Sequence, residues 1–296
     1  MHSPRQPLWM LVAAFAFALM GVCVKFASVH YNAVELVAYR GLVSMALTFA
    51  WARSIGVSLS TQRVGMHAWR GIIGALSLLA WFYALQHLPL ATAMTLNYMS
   101  SIWIAAFLAG GALMYGKAEK QGALFATVLA GFGGVVMVLR PAFEANQLWA
   151  GLIGMFSGIT AALAYLQVTA LSRAGEPEAR VVFYFAVASA VFGLCGGLFT
   201  GFSPWSASHA LWILPIGFLA SAGQLCMTRA YASGATMLVA NLQYSGIVFA
   251  ATLGMIFFGD KLPLIAWGGM LVIIASGIAA TILRNRALPN TPPEEH

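Results

Sequence analysis

The chain has 296 residues, 61% of them hydrophobic and only 8% charged, with a formal net charge of +7. Soluble domains carry about 25% charged residues, so the composition excludes a soluble fold and leaves an integral membrane protein. It also argues against nucleic acid as a partner, because most of the cations lie in short loops beside apolar runs, where they act as topology signals.

The first apolar run, Leu8 to Ala27, follows Arg5. It is too long for the core of a secretion signal, contains Lys25 and lacks a convincing cleavage site, so a retained helix is expected. Nine further runs follow, each near the roughly 20 residues needed to span a bilayer. The expected spans are 8–27, 33–52, 69–88, 91–115, 121–139, 149–172, 180–200, 210–231, 235–258 and 264–283. Their connections are short apart from the stretch around "RSIGVSLSTQRVGMHAWR", so successive helices should pack as antiparallel neighbours. The tail 285–296, "NRALPNTPPEEH", is polar and proline-rich and is expected to be disordered. Cys23, Cys195 and Cys226 are scattered through the helices without metal-ligand spacing and read as buried, inert thiols with no disulfide.

In a ten-helix plan Arg5, Arg53, Arg63, Arg70, Lys117, Lys120, Arg173, Arg180, Arg284 and Arg286 share one side. Arg140 and Lys261 occupy loops on the other. The positive-inside bias then puts both termini in the cytoplasm.

"TLNYMSS" (Thr95 to Ser101) and "VANLQYSG" (Val239 to Gly246) nearly repeat one another. At an offset of 144 residues Ala91, Thr92, Asn97, Ser101, Ala106 and Gly110 meet identical residues at Ala235, Thr236, Asn241, Ser245, Ala250 and Gly254. With one residue of slippage Gly116 meets Gly259 and Gly134 meets Gly277. Small apolar alphabets produce chance matches, but here the polar residues match too. Residues 1–140 and 141–284 are therefore expected to be two copies of a five-helix repeat. Five is odd, so the second copy enters the membrane from the opposite side, the inverted arrangement of secondary transporters with a site at the midplane.

Asn97 lies about 10 Å into its helix from one face, and Asn241 a similar depth from the other. An amide facing lipid is expensive, so both should point to a partner or to a wet cavity. Helical spacing groups Asn97 with Ser100 and Ser101, and Asn241 with Tyr244 and Ser245. The serines serve equally as interhelical glue. Trp81, Tyr83 and Gln86 end the third helix, Tyr165 and Gln167 lie in the sixth, and Gln224 and Arg229 in the eighth. Rings with a polar edge suit a pocket for a planar solute, and for Trp81 and Trp103 an interfacial belt is an equal reading. The expected substrate site is Asn97, Tyr98, Ser101, Asn241 and Tyr244, walled by Tyr83, Tyr165, Trp81, Gln86, Gln224 and Arg40.

Four charges fall inside helices. Lys25, Glu35 and Arg229 sit near helix ends, where snorkelling explains them, whereas Arg40 is deeper. If the cavity sees them, three cations against one carboxylate favour a substrate bearing a carboxylate or phosphate. Proton-coupled carriers place acids deep in the bundle, and only Glu35 is available, so facilitated diffusion, exchange and coupling through Glu35 all stay open. Two functions of other classes compete. His30, His87 and His209 lie toward one face, where three imidazoles would suit a metal-dependent membrane enzyme, though no nucleophile or zinc motif surrounds them. A channel would need a continuous polar lining, and saturable flux distinguishes the two.

Over Trp9 to Arg284 the sequence resembles the drug/metabolite transporter superfamily, EamA type. The resemblance rests on "FYALQHLPLATA" (Phe82 to Ala93), its counterpart "TRAYASGATM" (Thr228 to Met237) and the glycine-rich closing helix of each copy. It implies an all-α, ten-helix fold around a central cavity, alternating access for a small organic solute, the lipid bilayer as surroundings, no cofactor, and a monomer or homodimer in the cytoplasmic membrane. Two departures stand out. Gly-Glu after the fourth helix of each copy is replaced by Gly116–Lys117, with Glu119 nearby, and by Gly259–Asp260, and the proline common in the fourth and ninth helices is missing near Ser101 and Tyr244. The segment from Asn241 to Pro263 resembles members linked to riboflavin or S-adenosylmethionine uptake, while other relatives export amino acids.

Overall fold

The structure, a computed structural model, describes residues 6–114, 122–139, 147–232, 236–261 and 263–287. Arg5, Lys117, Glu119, Lys120 and Arg140, the repeat partners Ala235 and Gly116, and the tail beyond Ala287 lie outside the described residues. The last helix runs to Ala287, so the first three residues of the expected tail are helical.

After a 3-10 turn (Gln6–Leu8) come α1 (Trp9–Ala27), α2 (Ala33–Ser54), α3 (Val64–His87), α4 (Leu90–Tyr98), α5 (Ser100–Met114), α6 (Gly122–Leu139) and α7 (Leu148–Arg173). These are followed by α8 (Glu178–Thr200), α9 (Ala207–Ala210), α10 (Ile213–Ala232), α11 (Thr236–Leu242), α12 (Ser245–Phe258) and α13 (Leu264–Ala287). Eight helical segments are long and apolar enough to cross a membrane, and no strand occurs among the described residues. The protein is an all-α membrane protein. Large apolar side chains such as Phe199, Leu198 and Leu264 stand 80–90% exposed, whereas Thr95, Ser100, Ser157 and Gln243 are fully buried. That distribution suits lipid outside and a hydrogen-bonded interior.

The helices begin and end where local chemistry dictates. Pro89 and Pro177 precede α4 and α8, where a missing N–H costs nothing. Asn32 caps α2 in a reciprocal box with Glu35. Gly259 closes α12 at φ 66°, a conformation that favours glycine. The long neighbours are α2 with α8, α3 with α7, α1 with α10, and α6 with α13. At the first crossing the backbones touch: a Cβ on Gly41 would lie 2.4 Å from the Ala190 nitrogen, and one on Gly193 2.4 Å from the Ala38 nitrogen.

The fourth and ninth expected segments are each interrupted. The first breaks at Met99, where the Ile102 N–H bonds the Met99 carbonyl three residues back (2.9 Å). The second breaks at Gln243 and Tyr244, with the same tightened pattern from Gly246 to Gln243 (3.0 Å) and from Ile247 to Tyr244 (3.0 Å). Such turns replace the regular ladder and redirect the chain. Both breaks occur without proline.

On one side of the bundle Glu176, between α7 and α8, ties two loops together. It accepts from Thr61 Oγ1 (2.7 Å), Arg180 (2.9 Å) and His67 Nε2 (3.1 Å), while Arg180 also donates to the Ser58 carbonyl (2.6 Å). Burial lifts the Glu176 carboxyl, but these hydrogen bonds and the Arg180 charge outweigh burial and hold it below its ordinary value of 4.5. A carboxyl lowered in the folded state contributes stability above its unfolded pKa and loses it as pH falls through the folded value. Glu176→Gln should therefore lower the melting temperature at pH 7 and above. The gap to the native protein should shrink as pH falls below about 4.5, as measured by thermal melts across pH.

Candidate functional site

The α3 series Arg70, Gly74, Ser77, Leu78 and Trp81 lies on one helix face and lines a small cavity of about 40 Å³. Phe17 of α1, Asn97 and Tyr98 of α4, Ala161, Ala164 and Tyr165 of α7, Phe185 of α8 and Gln224 of α10 complete the wall. The volume is room for a few water molecules, well below the roughly 300–1,000 Å³ of open small-molecule sites, so the site is nearly closed in this conformation.

Each polar group is placed by its helix. Asn97 donates from Nδ2 to Ser157 Oγ (3.1 Å), and Ser77 Oγ donates to the Ser157 carbonyl (2.9 Å), joining α4, α7 and α3. A Cβ on Gly158 would lie 2.5 Å from the Leu96 carbonyl, so α4 and α7 are in backbone contact beside Asn97. Tyr165 stacks on Tyr231 with centroids 5.5 Å apart, and the Tyr231 hydroxyl reaches Gln243 Oε1 (3.4 Å). Trp81 Nε1 and the Tyr98 hydroxyl are buried with no protein hydrogen-bond partner among the described residues. Arg70 runs along α3 over Gly74, where a Cβ would collide with its guanidinium and with the Phe185 ring. It donates to Gln224 Oε1 (3.3 Å) and lies 4.0 Å from the Phe185 ring centroid.

Five of the expected site residues thus meet at the cavity: Asn97, Tyr98, Trp81, Tyr165 and Gln224. Arg40 is fully buried next to the wall, donating to Ser189 Oγ (3.2 Å) with its guanidinium 4.8 Å from the Phe185 centroid. The others point elsewhere. Tyr83 and Gln86 face a separate apolar groove with Leu79, Ile153 and Phe156. Tyr83 follows Trp81 by two residues, which turns it about 200° around α3. It stacks on His87 (4.2 Å), and Gln86 donates to the Tyr31 carbonyl (3.3 Å). Ser101 donates to the Ala240 carbonyl, joining α5 to α11 as interhelical glue. Asn241 is buried with Nδ2 unpartnered among the described residues, and the Tyr244 ring lies toward Gly131 of α6. The Tyr244 N–H bonds the Asn241 carbonyl three residues back (3.1 Å), which keeps the two residues on one side of the chain, yet neither lines the cavity.

An expected third helix of 69–88 puts Arg70 in its first turn, among the cations that share one side of the plan. The helix begins at Val64, which buries Arg70 about 9 Å inside. The small or polar series Arg70, Gly74, Ser77 and Trp81, at helical spacing, is the signal that identifies it. Gln243, fully buried and donating to Ser100 Oγ (3.4 Å), and Phe185 carried no comparable signal. Of the other intramembrane charges, Lys25 donates to the Leu88 carbonyl (2.9 Å) and Arg229 pairs with Glu178 (3.0 Å). His30 stacks on His209 (5.1 Å) while His87 stacks on Tyr83, and no group of three His, Cys, Asp or Glu placed to hold a metal occurs among the described residues.

Residues 5–140 match the model of the EamA-like transporter family. The pseudopaline exporter CntI of Pseudomonas aeruginosa is 32% identical over 266 residues, covering 90% of this chain and 92% of that protein. A riboflavin transporter of Vibrio cholerae is 26% identical over 281 residues, covering 93% and 92%. A solved crystal structure, 19% identical, superimposes with a TM-score of 0.77 over 97% of this chain and 100% of its own, which supports the fold.

Proposed function

Because the chain belongs to the EamA-like transporter family of the drug/metabolite transporter superfamily, whose named members here are transporters and not enzymes, we propose that it carries a small amphipathic organic metabolite across the cytoplasmic membrane by alternating access. The observation that carries the proposal is the small, partly polar cavity whose wall takes residues from α1, α3 and α4 and from α7, α8 and α10. A wall shared between the two halves opens to alternate faces when one half rocks on the other.

In this reading ten membrane segments form two inverted copies, residues 1–140 and 141–284, with both termini cytoplasmic. Three features support it. The neighbour pattern maps onto itself when the halves are exchanged: α1 with α10 answers α7 with α3, and α2 with α10 answers α8 with α3. The breaks at Met99 and Gln243 fall at matching depths beside Asn97 and Asn241. The cations lie mainly on one side of the plan. Discontinuous helices at mid-membrane are a recurring device for substrate binding in carriers.

The candidate substrates are an amino acid or a planar compound of the nucleoside or flavin kind, for which Trp81 and Tyr165 supply stacking surfaces and Asn97 and Gln224 a hydrogen-bonding rim. The riboflavin transporter among the relatives supports the planar alternative, uptake of riboflavin or S-adenosylmethionine. A thermal-shift panel of amino acids, nucleosides, flavins and S-adenosylmethionine identifies the ligand, since binding to the folded form raises its apparent stability. With that ligand in proteoliposomes, Asn97→Ala should lower kcat/KM at least about tenfold, the loss of one buried hydrogen-bonding partner. Unchanged flux in both Asn97→Ala and Asn241→Ala would place the site elsewhere.

A further inference from the structure

Two arginines are buried at or next to this cavity, 1% and 2% exposed for Arg40 and Arg70, and neither has an acidic partner among the described residues. The ion pairs among the described residues join His67 and Arg180 to Glu176, and Arg229 to Glu178. The other buried carboxylate, Glu35, is held by the N–H groups of Asn32 and Ser203 and by the Ser203 hydroxyl. Arg70 Nε and Nη1 and Arg40 Nε have no protein hydrogen-bond partner among the described residues. Stacking over Phe185 offsets part of the cost of burying such cations, but two uncompensated guanidiniums inside a membrane bundle remain expensive. Such an arrangement is understandable where a ligand completes it. Arg70 lines the cavity, is anchored through one nitrogen by Gln224, and keeps the other two unsatisfied.

We propose that Arg70, backed by the charge of Arg40, is the subsite for an anionic oxygen group of the substrate, a carboxylate or a phosphate. The inference rests on the cavity being the transport site. Arg70 is the direct ligand, offering planar, charge-assisted N–H groups suited to paired oxygens, and Arg40, over the same Phe185 ring but outside the lining, adds to the local positive field. Gly74 is a necessary part of the subsite, because any side chain there displaces the guanidinium. The substrate then acts as the missing counter-ion, neutralising the site when it is occupied.

The test is ligand-induced thermal shift on the purified full chain. The probes are succinate, citrate and L-glutamate, the uncharged succinamide, and glycerol 3-phosphate. Anions should stabilise the native protein and succinamide should not. Response to the carboxylates or to the phosphate ester identifies which group the subsite takes. Arg70→Gln should weaken the anion response about a hundredfold, in the range for removing one partner of a buried charge pair. Arg70→Lys should restore part of it. Arg70→Met should raise the melting temperature of the ligand-free protein, because an uncompensated charge is removed. A purely structural Arg70 would instead make that variant less stable. Gly74→Ala keeps the charge but moves it, so it should blunt the response if the Arg70 variants fail to fold. Equal response to succinamide, no response to any anion, or an anion response unchanged in Arg70→Gln and Gly74→Ala overturns the subsite. A neutral ligand lost in Trp81→Ala but kept in Arg70→Gln overturns the subsite and leaves the cavity standing. A transported solute insensitive to Asn97, Trp81 and Arg70 alike removes the cavity reading itself.

Discussion

Gly193→Val is expected to separate α2 from α8 and to abolish the folded, monodisperse protein. A Cβ at Gly193 would stand 2.4 Å from the Ala38 nitrogen and 2.6 Å from its Cα, and the reciprocal Cβ at Gly41 is equally close to the Ala190 backbone. A rotamer change relieves a clash with the end of a side chain. It does nothing for a clash with backbone, so the helices themselves must move apart, and valine is stiff at χ1. Membrane helices associate through close packing rather than through expulsion of water. Opening this crossing therefore removes the main source of attraction between the two elements, and it also strains the Ser44 hydrogen bond to the Gly217 carbonyl (3.1 Å). The loss should be at least about 3 kcal/mol, the upper end of overpacking penalties. The matched control is Gly133→Ala, which meets open space and should gain up to about 1 kcal/mol from helix propensity. Melting temperature and gel-filtration profile in detergent measure both. A Gly193→Val protein as stable as the native one would mean that α2 and α8 do not cross as described.

Glu35→Ala should be the next most damaging change, and its consequences separate structure from transport. Glu35 is fully buried in the first turn of α2, where it accepts from the Asn32 N–H (2.7 Å), the Ser203 N–H and the Ser203 hydroxyl (3.0 Å). It completes the capping box and latches the segment after α8 onto the start of α2. Alanine leaves three half-buried donors, on Asn32 and Ser203, without this acceptor, at a cost of about 2–4 kcal/mol. Glu35→Gln keeps one carbonyl oxygen and should fall between. Both variants should transport with near-native KM once folded. If Glu35 is instead a proton-coupling acid, Glu35→Gln would melt normally and lose its response to a pH gradient. Three hydrogen bonds, of the about four a carboxylate accepts, are spent on the α2 cap and Ser203, which favours the structural role.

The membrane class, the positions of the long helices and the polar pairs at 95–101 and 239–246 were all legible in the sequence. Each depends on composition or on local spacing, and apolar length is dictated by bilayer thickness whatever the neighbours do. Asn97, Tyr98, Trp81, Tyr165 and Gln224 were recognisable for the same reason: a polar group in an apolar run must be satisfied inside the bundle. Tyr83, Gln86 and Tyr244 show the limit of that rule, because it demands burial or a partner without saying on which side of the helix. For α3 the answer follows from its phase, which puts Trp81 inward and Tyr83 outward. For Tyr244 it follows from the packing of α6, whose Gly131 leaves room for the ring.

What residue order determined is a lipid-facing helical bundle with a few polar side chains that must turn inward. What only the tertiary structure decided is which of them meet, and where Arg70 belongs. A cation near a helix end reads as a topology signal until a neighbouring helix covers it. Here α7 and α8 pack over α3, Gln224 of α10 reaches the guanidinium, and Gly74 leaves room for it to lie flat beneath Phe185. Burial of a charge is a property of the elements packed around it, and those come from distant parts of the chain.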